Sequence, residues 1–351
     1  MKVLVTGGAG YVGSVLVSEL VQRGRTVRVY DKLYFGKDHL KDYMKRIELV
    51  SGDIRSFDNA FLDGIGAVVH LAALSNDPTA EFNPEANDAI NTEGTRILAE
   101  ACLQKGINRF IFASSASLYD KGLRSSNGIQ DEKSDIDPIA AYSISKYNAE
   151  NTLLELVRKN EKFCPVILRK GTVYGQSPRM RYDLVVNTMV KKAFSEGRLN
   201  VFCGGTQWRP LVDVKDAARA YVSCLDADEK DMRGEIFNVS YDNFQVWDIA
   251  HRVKEAIKDI QPVEVDIDYS SGAIDRSYSI SNKKLEGKLG FRYQVSISAS
   301  AREMALKIKS DLDKGKIKKS DLDNPIYYNI RWMEHLVDME KRLKQMGGNV
   351  F

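Results

Sequence analysis

The run Thr6-Gly7-Gly8-Ala9-Gly10-Tyr11-Val12-Gly13 restricts this chain most, because of what flanks it. A short apolar run, Val3-Leu4-Val5, stands before it, and a helix-patterned stretch from Val12 to Val21 follows. A strand that turns through glycines into a helix leaves backbone N–H groups aimed at one point. The positive end of the helix dipole lies behind them. Gly7 permits the tight turn, Gly10 lets the backbone approach a pyrophosphate, and Gly13 lets helix pack closely on strand. Glycine spacing alone also describes an ordinary turn. With a strand and a helix on the correct sides, it marks a dinucleotide site.

Strand-like runs at Lys2–Thr6, Thr26–Tyr30, Ile47–Val50, Ala67–Leu71, Phe110–Ala113 and Val166–Arg169 are separated by helical patterns at Tyr11–Arg23, Asn87–Gln104 and Ala141–Lys159. Such Val/Ile/Leu-rich runs between helices predict an α/β fold, a Rossmann-type doubly wound parallel sheet. Residues 1–175 form the expected dinucleotide-binding domain. Residues 176–351 form a smaller C-terminal substrate-binding region, from which about 211–260 return to the first domain. Helices are expected near Leu184–Glu196, Val214–Leu225 and Trp247–Lys258, and in a charged tail from Ser298.

The net charge of +3 makes no case for nucleic acid or a membrane surface as partner. Cys102, Cys164, Cys203 and Cys224 lie far apart in apolar surroundings, as buried reduced thiols would, and no His/Cys cluster suggests a metal. With no signal peptide and no membrane-length apolar run, the expectation is a cytoplasmic protein.

Asp31 ends the second strand, about 20 residues past the glycine turn, where a carboxylate accepts the ribose hydroxyls of NAD and repels the extra phosphate of NADP. It could instead cap a loop, and Lys32 beside it partly offsets the repulsion. Asp53, after the third strand, is placed either to meet the adenine amino group or to cap a turn.

Tyr142 and Lys146 are four apart on a predicted helix and so share one face. A phenol with a pKa near ~10 is a poor base at neutral pH, and bringing it to ~7 needs about 4 kcal/mol. An ammonium one turn away and a positively charged nicotinamide would favour the phenolate. Upstream, the strand at Phe110 ends in Ser114-Ser115-Ala116-Ser117, so Ser115 can hydrogen-bond the substrate oxygen whose proton Tyr142 takes.

In these features the chain resembles the NAD-dependent nucleotide-sugar epimerase/dehydratase family of extended short-chain dehydrogenases/reductases, which includes UDP-galactose 4-epimerase. The matching residues include the glycine turn, Asp31, Asp53, His70-Leu71-Ala72-Ala73, Asn91-Thr92-Glu93-Gly94-Thr95 and Tyr142/Lys146. Further matches are Leu168-Arg169 to Tyr174-Gly175 and Arg209-Pro210-Leu211-Val212-Asp213. The resemblance implies a general base at Tyr142, its partner at Ser115, and a ribose-holding, pKa-tuning lysine at Lys146. It implies NAD contacts at Gly7, Gly10, Tyr11, Val12, Gly13, Asp31, Asp53, Ile54, Leu71, Ala72, Ala73, Asn91 and Ser114, besides Tyr142 and Lys146. Contacts to a nucleotide-diphosphate sugar are implied at Ser75, Ser115, Ser117, Tyr142, Thr172, Asn187, Arg209 and Arg276.

The family's 4,6-dehydratases carry an Asp-Glu pair where this chain has Ala116 and Ser117, which argues against dehydration. The implied activity is epimerisation, at C4 through a transient keto sugar. The alternatives are a 4-keto-sugar reductase or dehydrogenase and a cofactor-sensing binding protein. Family members commonly form homodimers through the helix carrying Tyr142 and the one after Asn87. Thr172, Asp183 and Asp120 depart from the family pattern and leave the nucleotide open.

Overall fold

A computed structural model describes residues 1–120, 128–270, 276–346 and 348. Seven strands build one sheet: β1 (Lys2–Thr6), β2 (Thr26–Asp31), β3 (Ile47–Ser51), β4 (Ala67–His70), β5 (Arg109–Ser115), β6 (Cys164–Lys170) and β7 (Ile236–Val239). Their order is β7-β6-β5-β4-β1-β2-β3, and every neighbouring pair is parallel. Strand order reverses at β1 and β4, so a crevice opens beyond their carboxyl ends.

Side chains alternate across a strand, so an unbroken apolar run must be covered on both faces. Val3, Val5, Val27, Val29 and Ile111 pack in one core with residues of α1 (Tyr11–Gln22) and α4 (Val214–Asp226). Leu4, Val68, Phe110, Phe112 and Ile167 point the other way, into a core shared with α2 (Gly94–Gln104) and α3 (Ala141–Lys159). A third core joins the helices Val185–Ser195, Val246–Ile257 and α5 (Ile297–Asp313). The chain closes with α6 (Asn329–Gln345).

Three expectations change. The segment around 211–260 contributes an unforeseen sheet strand, β7, beside β6; its four residues are too short for a periodic signal. The helix expected from Asn87 is broken into Pro84–Asp88, a wide π turn over Ala89–Glu93, and α2. That turn centres on Asn91, whose side chain bonds the backbone N–H and C=O of Leu74. Cys102, Cys164 and Cys224 are buried thiols, whereas Cys203 is only partly buried, in a tight turn at φ +52°. Asp275 and the last residues of the tail lie outside the described residues.

One buried ion pair fixes the catalytic helix against the sheet. Glu150 of α3 accepts from Arg169 of β6 at 2.6 Å, with both side chains at most 4% exposed. Ser114 of β5 donates to the same carboxylate at 2.5 Å. Arg169 also donates to the Tyr119 hydroxyl at 2.8 Å, which in turn donates to Asn238 of β7 at 2.8 Å. Three strands and a helix thus share one buried polar network. Glu150→Ala leaves the arginine buried and uncompensated, and should cost roughly 3–5 kcal/mol of unfolding free energy, read from denaturant melts.

Candidate active site

A cleft of about 460 Å³ lies at the carboxyl ends of the sheet strands. Gly7, Gly10, Tyr11, Val12 and Gly13 form one wall, and Leu71, Ala72 and Ala73 face them. Gly7 holds φ +70°, and a side chain there would lie 2.6 Å from the Ala72 nitrogen. At Gly13 a Cβ would come within backbone contact distance of Gly7, so helix and turn could not close up. A Cβ at Gly10 would meet only the Gly7 carbonyl, at 3.1 Å, leaving that backbone open to a ligand. No side chain caps Gly10 and the first turn of α1 holds no acidic residue, so its N–H groups suit an anion.

Asp31 lines the cleft with its carboxylate fixed by two backbone donors, Ala9 at 2.9 Å and Leu33 at 2.7 Å. Leu33 adopts φ +60°, which turns its N–H back to the carboxylate. Burial raises the Asp31 pKa, and the two N–H groups oppose that rise. Each carboxylate oxygen keeps a lone pair for a ribose hydroxyl. Asp53 also lines the cleft, but the Arg55 fork holds it at 2.6 Å, and that contact keeps it at about 2. Lys32 approaches Asp53 at 3.4 Å rather than Asp31. These residues fit the adenosine half of NAD: a carboxylate for the ribose and uncapped N–H groups for the diphosphate.

At the other end, Tyr142 and Ser115 line the cleft together, and Ser115 lies 2.9 Å from the Ser117 hydroxyl. Lys146, one turn along α3, sits over the Phe112 ring at 4.8 Å from its centroid. All four line the cleft, as do Ser75, Ser114, Ile54 and Thr172. The electrostatics differ from the sequence expectation in one respect. Burial pushes the Tyr142 phenol above its ordinary range, with Asp77 adding to the rise, while the polar Ser115 side chain pulls it back. Burial also lowers Lys146 to about 7, with Glu150 opposing. Among protein groups alone, desolvation outweighs the lowering by Ser115 and Arg181.

Four expected ligands are engaged elsewhere. Asn91 bonds Leu74, Asn87 and Ser145 and shapes the loop wall instead of lining the cleft. Asn187 is fully buried, donating to the Tyr11 hydroxyl and the Arg181 carbonyl and accepting from Gly175 N–H. Arg209 is not a lining residue; it donates to the Arg276 and Trp208 carbonyls. Arg276 does line the cleft, but Asp77 at 2.5 Å and Asp120 at 2.9 Å hold its guanidinium. Asp120 therefore meets a cation rather than a diphosphate.

The sequence reading left several lining residues unassigned: Tyr34, Phe35, Lys170 and Tyr221, and Asn329, Ile330 and Met333 of α6. The Trp332 indole of α6 donates to the Tyr34 carbonyl at 2.6 Å, tying the tail to the loop after β2. Only Lys170 carried a signal, as a lysine closing an apolar strand.

Lys170 donates to the Ser114 carbonyl at 2.9 Å, and burial, then Lys146, lowers it to about 7. An unfolded lysine titrates at 10.5, so between pH 7 and 10 the unfolded chain binds more protons and stability rises with pH. Lys170→Met should flatten that rise by roughly 1–2 kcal/mol between pH 7.5 and 9, measured by chemical denaturation of the cofactor-free protein.

A family profile described as the NAD dependent epimerase/dehydratase family matches residues 3–240. The UDP-glucose 4-epimerase of Lactobacillus helveticus is 29% identical over 297 residues, spanning 78% of this chain and 84% of its own. The UDP-glucose 4-epimerase of Erwinia amylovora is 31% identical over 253 residues, spanning 64% of this chain and 74% of its own. The solved UDP-glucuronic acid 4-epimerase from Bacillus cereus, in complex with UDP-glucuronic acid and NAD, aligns with a TM-score of 0.75 at 25% identity, covering 88% of this chain and 99% of that one. With a profile match over two thirds of its length and a cleft of this build, the chain belongs to the NAD dependent epimerase/dehydratase family.

Proposed function

We propose that this protein is an NAD-dependent epimerase acting at C4 of a UDP-linked sugar. The observation that carries the reading is the convergence of Tyr142, Ser115 and Lys146 in the same cleft as the glycine turn and Asp31. NAD bound there supplies a two-electron acceptor for the sugar carbon. Ser115 orients the C4 oxygen, and Tyr142 takes its proton, giving a transient 4-keto sugar. Tyr142 needs its pKa lowered for that step; an oxidised nicotinamide would supply positive charge, and Lys146 would hold its ribose. Once the sugar has presented its other face, the two electrons would return to C4 from the reduced cofactor and the proton to its oxygen from Tyr142.

Ala116 offers no acid for a leaving hydroxyl, which sets dehydration aside. Four free cysteines fit the reducing cytoplasm. Ile144 on α3, 40% exposed, offers apolar surface to a second copy in a homodimer built on α3 and the Pro84–Gln104 segment.

The purified protein should retain NAD by mass spectrometry and interconvert UDP-sugar C4 epimers with no net change in absorbance at the reduced-nicotinamide band. Stoichiometric consumption of reduced cofactor would instead make it a reductase. Tyr142→Phe should keep its NAD and lose on the order of 10²–10⁴ in kcat.

A further inference from the structure

Arg179 is a buried cation without a counter-ion. It is 5% exposed and lines the cleft, yet forms no ion pair among the described residues. Its Nη2 donates to Asn329 of α6 at 2.6 Å, its guanidinium stacks on Phe35 at 3.6 Å from the ring centroid, and its buried Nε has no partner. The carboxylates nearest in charge terms are already occupied. Arg181 pairs Asp183 at 2.8 Å, and the Ala9 and Leu33 N–H groups hold Asp31. Burial, with Arg181 second, lowers Arg179 to about 9. Leaving a guanidinium dry and unpaired is costly unless an anion arrives to meet it.

The position of Arg179 indicates which anion. The segment just before it is pinned to the start of α1: Ser177 donates to the Tyr11 carbonyl at 2.7 Å and lies 3.1 Å from the Ser14 hydroxyl, while the Tyr11 hydroxyl donates to the Gly175 carbonyl at 2.7 Å. Arg179 therefore stands beside the uncapped N–H groups of the glycine turn, flanked by the loop after Asp31. A backbone anion cradle and an unpaired planar fork lining one cleft suit a diphosphate.

We infer that Arg179, positioned by Phe35 and by Asn329 of the C-terminal helix, is a ligand of the dinucleotide's diphosphate. This rests on the NAD reading above. A diphosphate could also belong to the sugar nucleotide, so the test separates the two sources. Displacement of NAD from the full-length holoprotein by ADP and by adenosine gives the affinity contributed by the diphosphate as a ratio within one variant. In Arg179→Met that ratio should fall on the order of ten- to a hundredfold, with UDP binding by calorimetry unchanged within about twofold.

Arg179→Gln, which keeps a polar head, should give the same result and serves if the methionine variant does not fold. An unchanged ratio, or a loss confined to UDP, overturns the assignment. Wild-type protein that holds NAD but shows an unaltered ratio in the variants sinks this inference alone. Wild-type protein that binds neither NAD nor ADP sinks the dinucleotide reading with it.

Discussion

The buried pair between Glu150 and Arg169 is the constraint on which the catalytic geometry depends. Tyr142 and Lys146 sit on the same helix as Glu150, one to two turns earlier, so whatever fixes Glu150 fixes the height and rotation of both. A buried ion pair is weak evidence for stability, because desolvating two charges offsets most of their attraction. Its use here is positional. With Ser114, Tyr119 and Asn238 in the network, the helix is tied to β5, β6 and β7 in one register. Sliding it would orphan several buried polar groups at once.

The cleft is a place where cations are held out of water. Lys146 and Lys170 are pushed to about 7 and Arg179 to about 9, in each case with burial as the largest cause. The same desolvation raises the Tyr142 phenol. Groups that burial disfavours here would be favoured by a ligand of opposite charge. A diphosphate would neutralise positive charge at one end, and a cationic nicotinamide at the other would favour the phenolate that the protein alone disfavours. Pre-aimed dipoles and charges of this kind cost no reorganisation when the substrate reacts.

Much of this was legible locally. The glycine turn needed only backbone sterics, and the Tyr142/Lys146 pair needed only helical periodicity, so both were readable from spacing. Six of the seven sheet strands were found, the interior ones because buried strands leave unbroken apolar runs. β7 was missed because four residues carry no period. Asn91, Asn187 and Arg209 were assigned to ligands by analogy of position. In the structure each bonds backbone groups, and the two asparagines bond neighbouring side chains as well; residue spacing cannot reveal where a side chain's partners come from.

The sequence by itself determined the kind of molecule: a parallel sheet with a phosphate-accepting turn, a tyrosine and lysine on one helical face, and serines ending a strand. Those follow from interactions within about ten residues, which the chain encodes locally. Only the tertiary structure decided which charges are answered and which are not. Arg276 meets two aspartates from distant segments, while Arg179 meets none and is braced by a helix 150 residues further on. Charge pairing depends on distances through space, and those exist only once the chain has folded.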